Sequence, residues 1–151
     1  MKITFIFRAF FNTLEPLMLR KICVFFLIGM LAGCSGVGSN SPSVTFIAKV
    51  NYKDVFERAK EQANYCWRSE TQYPIVSQIN DTDRTVLVYV TGLLGSTKMA
   101  ELSARAIDRD STEVKVAVNG MSIWNGAAVK AMKEAVEFGV PTCTSYMPSK
   151  D

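Results

Sequence analysis

Four segments of the chain have apolar residues at every second position, and this two-residue period predicts β-strands. Residues 75–79, which follow Pro74, are taken as a further strand. In residues 98–107, Ala100, Leu102 and Ala104 alternate with polar side chains. The residue types there also favour a helix, but we predict a strand because the alternation is continuous. The predicted strands are residues 44–50, 75–79, 86–90, 98–107 and 114–118.

Two other segments repeat their apolar residues every three or four positions, which predicts amphipathic helices. The first helix begins at Tyr52, after Asn51 as a cap, and has its apolar stripe at residues 52, 55, 56, 59, 63 and 66. We place Arg58 on the exposed side of this helix, paired with Asp54. The second helix begins near Asn125 and ends where Gly139 and then Pro141 occur, a typical stop signal.

The predicted order is therefore β-α-β-β-β-β-α, an α+β fold. Short connections join the last four strands, so we expect an antiparallel meander. One face of the sheet should pack on the two helices and the other should be partly solvated. This order resembles the helix-grip type of α+β domain, which occurs in small envelope lipoproteins, including an accessory subunit of the outer-membrane protein assembly machine. The resemblance implies a shape and no catalytic residues.

The segment MLRKICVFFLIGMLAGCSG, residues 18–36, has the layout of a secretion signal. Arg20 and Lys21 are followed by an uncharged run at 22–32, which is shorter than the roughly 20 residues that a membrane-spanning helix needs. The run ends in Leu-Ala-Gly-Cys at residues 31–34, which resembles the lipobox of bacterial lipoproteins. The resemblance implies that Cys34 carries a diacylglyceryl group, that residues 1–33 are removed, and that palmitate or a similar acyl chain is added to the new amino terminus. An ordinary signal peptide with a chance cysteine is the alternative.

The domain boundaries follow from this leader. Glu15 and Pro16 separate an earlier apolar patch from the main run, so we consider Met18 as the true start. Residues 34–43 form a lipidated cysteine and a flexible Gly/Ser tether, which reaches up to about 30 Å when extended. Residues 44–147 form one α+β domain, and residues 148–151 form a C-terminal tail.

The basic charge of the chain belongs to its leader. Residues 1–34 hold four of the 17 basic and one of the 14 acidic residues, which leaves 13 of each sign in residues 35–151. Nucleic-acid binding requires a surplus of Lys and Arg on the mature surface. We therefore expect no nucleic-acid partner.

Two cysteines, Cys66 and Cys143, remain in the mature domain. An exported chain meets an oxidising compartment, so we predict a disulfide between them. It would close a loop of about 78 residues and contribute up to ~4.5 kcal/mol in the chain-entropy model. A pair of free thiols or a thiol catalyst is the alternative, although the chain has no C-x-x-C spacing and no histidine.

Catalytic and metal-binding signatures are weak. The absence of histidine removes Ser-His-Asp and Cys-His catalysis and the usual zinc sites. Asp81 with Asp83, and Asp108 with Asp110, lie in predicted turns, where Asp is favoured for local backbone hydrogen bonds. We predict no enzyme activity, no cofactor and no metal site.

Four aromatic residues are candidates for partner binding, because Trp and Tyr are enriched at interface hot spots. The alternative is that the two tryptophans fill the core beside the disulfide. The four residues are Trp67, Tyr73, Tyr89 and Trp124.

Together these features predict a lipid-anchored envelope lipoprotein that acts as a binding, adaptor or accessory module for an envelope protein. Ser35 follows Cys34 in place of the aspartate that retains lipoproteins in the inner membrane of enterobacteria. The resemblance therefore implies the outer membrane, facing the periplasm. The alternative is a carrier of a small apolar ligand, with a cavity between sheet and helices.

Overall fold

A computed structural model describes residues 36–67, 73–92, 95 and 97–143. The predicted signal peptide, the lipidation site Cys34 and the C-terminal tail lie outside these residues. Within them, the chain forms the predicted order of five strands and two helices.

The five strands form one sheet in the order β1-β5-β4-β3-β2, and every neighbouring pair is antiparallel. This arrangement confirms the predicted meander and the α+β class. The first strand pairs with the last, so Ser43 lies opposite Ala117. The strands are β1 (Ser43–Ala48), β2 (Ile75–Asn80), β3 (Thr85–Thr91), β4 (Lys98–Ala106) and β5 (Thr112–Val118).

Residues 98–106, whose residue types also favour a helix, form strand β4 as the alternation predicts. Ala100 and Leu102 are fully buried and Ala104 is nearly so, while the residues between them point to the other side of the sheet. Both of its neighbours, β3 and β5, pair with it along its length. A helix would have broken this buried row, so tertiary packing overrides the local helix propensity.

The first helix, α1 (Tyr52–Gln62), begins where the sequence predicts. Asn51 accepts hydrogen bonds from the backbone N–H groups of Lys53 and Asp54 through Oδ1, at 2.9 and 3.0 Å, and so caps the helix. The helix continues as a π-helical turn, Ala63–Trp67. The wider turn buries both Cys66 and Trp67.

The second helix, α2 (Gly126–Phe138), is capped by Asn125 at its start and by Gly139 at its end. Gly139 has φ 71° and donates its N–H to Ala135 O at 2.8 Å, which is the left-handed cap that glycine permits. No helix within the described ranges is long and apolar enough to cross a bilayer.

Both helices cover the same face of the sheet, and a row of α1 side chains binds the chain at the end of α2. Arg58 Nη1 donates to the carbonyl oxygens of Val136 at 2.8 Å and Glu137 at 3.2 Å. The predicted Asp54–Arg58 pair is therefore not formed. Arg58 instead satisfies carbonyls that the end of a helix leaves without intrahelical partners.

Gln62, one turn further along α1, is fully buried and makes two hydrogen bonds to one residue. Its Nε2 donates to Thr142 O and its Oε1 accepts from Thr142 N, both at 2.8 Å. Cys66, another turn further, forms the predicted disulfide with Cys143, with Cα atoms 5.2 Å apart. The end of α2 and the segment after it are thus fastened to α1 and its π-helical continuation by three successive contacts.

The Gln62→Ala variant tests this fastening. It leaves Thr142 N–H and C=O without their partner, so we expect the free energy of unfolding to fall by about 1–3 kcal/mol. Urea denaturation of the oxidised protein measures the loss. Glu61→Ala, an exposed neighbour on the same helix, should change stability by less than about 0.5 kcal/mol. Equal effects of the two variants would contradict the role of Gln62.

Candidate binding surface

The two acidic pairs, Asp81 with Asp83 and Asp108 with Asp110, lie in the turns that join β2 to β3 and β4 to β5. Both turns, residues 81–84 and 107–111, lie at the same end of the sheet, and we call this end the far end. In the second turn, Asp108 Oδ1 accepts the backbone N–H of Asp110 at 2.8 Å. In the first, the local acceptor is Asn80, whose Oδ1 binds the N–H groups of Thr82 and Asp83. The part of the chain that the structure describes holds no group of three or more His, Cys, Asp or Glu residues placed to bind a metal ion.

Asp81 has a further role, because it contacts the start of α1. The Tyr52 hydroxyl donates to Asp81 Oδ1 at 2.6 Å, and Lys53 Nζ lies 3.2 Å from the same oxygen. The Tyr52 hydrogen bond, and then the Lys53 ammonium, lower the pKa of the Asp81 carboxyl. The same hydrogen bond raises the pKa of the Tyr52 phenol. These contacts bind the turn before β3 to the helix and suggest no reaction.

Three of the four candidate aromatics lie together next to the disulfide. The Trp124 ring packs edge-to-face against Trp67, at a centroid distance of 5.7 Å, and against Tyr73, at 5.3 Å. Such pairs contribute about 0.5–1.5 kcal/mol beyond area burial. The indoles are only 0% and 1% exposed, so both tryptophans are core residues in this structure, and of these three residues only Tyr73 reaches the surface.

The two indole N–H groups lie inside this aromatic cluster. Neither has a hydrogen-bond acceptor among the described residues. Both tryptophans belong to the hydrophobic core cluster, so packing holds each indole in place. A partner that touched either ring would first have to displace the chain around it.

The fourth aromatic, Tyr89, lies on the opposite face of the sheet, which no described helix covers. We call this the open face; it consists of the outward side chains of the five strands. A register shift between Val90 and Thr91 brings Lys98 to this face, with its Nζ 4.8 Å from the centre of the Tyr89 ring. Lys98 also forms an ion pair with Glu101. The result is a compact aromatic and charged cluster at the open surface.

A groove of about 500 Å³ runs across the open face beside this cluster. Arg105 faces Glu113 across β4 and β5, and Ser103 faces Lys115. The groove therefore combines both charges, hydroxyl groups and the side chain of Leu87, with no reactive pair among them. Residues that line it include Thr45, Leu87, Ser103, Arg105, Glu113 and Lys115.

The sequence pattern identified Tyr89 but not the groove beside it. The signal was present in the polar positions of the alternating strands, since every second residue of β3, β4 and β5 points away from the helices. The strand order was needed to show which of these residues are neighbours. Lys98 was unpredictable, because the register shift places it outside the regular alternation.

No protein-family model matches the chain, and no curated protein matches it. A search of solved structures returns the crystal structure of the Zhui aromatase/cyclase from Streptomyces sp. R1128, with 11% sequence identity. The match covers 62% of this chain and 81% of that chain, with a TM-score of 0.29. A likeness of this degree carries no information on what this chain binds or does.

The lowered pKa of Asp81 predicts the acid response of the fold. Its ionised form is favoured in the folded state, so its contribution is fully present above the ordinary carboxyl value of 3.8 and is lost as pH falls through the lower, folded-state pKa. Asp81→Asn keeps an acceptor for Tyr52 but removes the charge. We expect lower stability at neutral pH and a shallower loss of stability on acidification.

Urea denaturation between neutral and strongly acidic pH measures this difference. Glu61→Gln, which also removes one exposed carboxylate, should leave the shape of the acid limb unchanged. An acid limb with the same slope in Asp81→Asn and the unmodified protein would contradict the linkage.

Proposed function

We propose that this protein is a lipid-anchored lipoprotein of the bacterial envelope, attached through Cys34, and that it acts as a non-catalytic adaptor or accessory module. The observation that carries the anchor is the order of basic pair, short apolar run and Leu-Ala-Gly-Cys at residues 20–34. Two or three acyl chains on one residue are enough for stable anchoring, whereas a single chain is not. Ser35 after the cysteine supports the outer membrane, facing the periplasm.

The disulfide supports export independently of the leader. Cys66 and Cys143 form a bond that joins the end of α1 to the segment after α2. Such bonds persist in oxidising compartments such as the periplasm and are rare in the cytosol.

The open face supports a binding role for the domain. Its groove combines Arg105, Lys115 and Glu113 with Leu87, and Tyr89 lies beside it. Tyr and Arg are enriched at protein interfaces, and non-obligate interfaces are mixed in polarity as this face is. We therefore assign the open face to a protein partner of the envelope.

The carrier alternative is not favoured, because bulky side chains fill the space between sheet and helices. Trp67, Trp124, Leu102 and Met132 are each less than 2% exposed there. Apolar carriers need a pocket of about 300 Å³ or more that encloses the ligand. The larger pockets lined by described residues, including the groove, are open and lie on the outside.

Mass spectrometry of the protein extracted from membranes in mild detergent tests the anchor. We expect a chain that starts at Cys34, carries acyl mass and lacks two hydrogens because of the disulfide. Cys34→Ser should abolish the acyl mass and the membrane association. An unlipidated mass, or an intact leader, in the unmodified protein would refute the anchored function.

Site-specific photo-crosslinking in intact cells tests the binding face. A photoreactive residue at Ser103, in the groove, should give a discrete protein adduct, whereas one at Lys130, on the exposed side of α2, should not. We expect Tyr89→Ala to reduce the adduct several-fold by removing the aromatic contact. Tyr65→Ala is the matched control, because Tyr65 is 55% exposed on the helix side. Equal adducts from both positions, or none from either, would contradict the assignment.

A further inference from the structure

Residues 36–42, the larger part of the predicted tether, lie against the sheet in this structure. Gly36 lies beside the backbone of Lys98, where a Cβ on the glycine would be 3.5 Å from Lys98 N. Val37 N donates to Lys98 O at 3.2 Å. The chain then turns, with Ser41 N bonded to Gly38 O at 3.1 Å.

The end of this segment is held by β5 and the loop that follows it. Val118 N donates to Pro42 O at 3.0 Å, directly before β1 begins. Gly120, with φ 87°, leaves room for the Pro42 ring, since a Cβ at Gly120 would be only 3.2 Å from Pro42 Cδ. Backbone bonds on both sides of the turn therefore hold residues 37–42 to one end of the sheet.

This docking limits how far the domain can stand from a lipid on Cys34. Only the two peptide units between Cys34 and Gly36 precede the first docked residue, and they span at most roughly 7 Å. The whole segment, if free, would reach about 30 Å. The short reach places the end of the sheet near Lys98 and Val118 next to the anchor; we call it the anchor end.

The loop after β5 and the far-end turns also differ in their number of charged residues. The loop after β5, residues 119–125, has the sequence NGMSIWN without a charged residue, and the docked segment at 36–42 and the connection at 92–97 are uncharged as well. In the loop after β5, Met121 is 55% exposed. The turns at the far end hold four aspartates and two arginines, at positions 81, 83, 108, 110, 84 and 109, and Lys49 and Lys53 lie beside them.

We propose that the anchor end rests on the lipid surface, with the loop at 119–125 in contact with the headgroups and the far end pointing away. This orientation depends on the proposed lipidation of Cys34. Uncharged loops with exposed apolar side chains enter the interfacial region at low cost, whereas the charged far end would lose its hydration there.

Nitroxide labels on the lipidated protein test the orientation. One variant carries the label on Met121→Cys and the other on Asp110→Cys, with the protein in vesicles of phosphatidylethanolamine and phosphatidylglycerol that contain a nickel-chelating lipid. The two positions are separated by the length of β4, about 26 Å. We expect relaxation of the label at 121 to be enhanced several-fold more than relaxation of the label at 110.

An insertion shows whether the short free segment sets this height. About ten Gly and Ser residues between Ser35 and Gly36 add an end-to-end length of roughly 17 Å. They should reduce the enhancement at position 121, whereas the same residues added after Asp151 should not. Equal enhancement at 121 and 110 in vesicle-bound protein would overturn the orientation and leave the anchor intact. Protein that does not float with the vesicles would refute the anchor itself.

Discussion

The two helices are joined along a single row of side chains on α1 and its π-helical continuation, at positions 58, 62 and 66. Each position is one helical turn from the next, so an arginine, a buried amide and a disulfide follow one line down the helix. Arg58 holds the end of α2, Gln62 holds Thr142, and Cys66 closes the line with a covalent bond. Because α2 runs back along α1 and its following segment returns, this row keeps both helices on one face of the sheet.

The periodicity of the sequence determined the elements, and it could do so because each element is amphipathic. The buried row of Ala100, Leu102 and Ala104 is visible in the sequence as alternation, and Gly139 marks the end of α2. The contacts of Arg58 and Gln62 were not visible, since their partners lie 78 to 80 residues away and are backbone atoms that any residue type would supply. Asp54 is a possible local partner for Arg58, but Arg58 binds the backbone carbonyls of Val136 and Glu137 instead.

The open face was predictable only in part, because its residues are neighbours through the strand order and not through the sequence. Sequence composition identifies aromatic residues but not the side of the sheet on which each lies. Three of them line the core near the disulfide, and Tyr89 lies on the open face with Lys98 over its ring. The tether illustrates the same limit. Its Gly, Ser and Pro composition is typical of a flexible linker, yet its backbone N–H and C=O groups bind the end of the sheet, and composition does not encode such bonds.

The pairing of β1 with β5 has a consequence for how the chain folds. β1 cannot pair before β5 is present, because Ser43 and Ala117 are neighbours in the sheet but far apart in the sequence. The bond between residues 66 and 143 likewise needs the C-terminal part of the domain. Contacts of such long sequence separation slow folding, since loop closure precedes any gain from pairing. A chain built in this way cannot complete its sheet until β5 has been synthesised, so β1 has no partner strand for most of the time that synthesis takes.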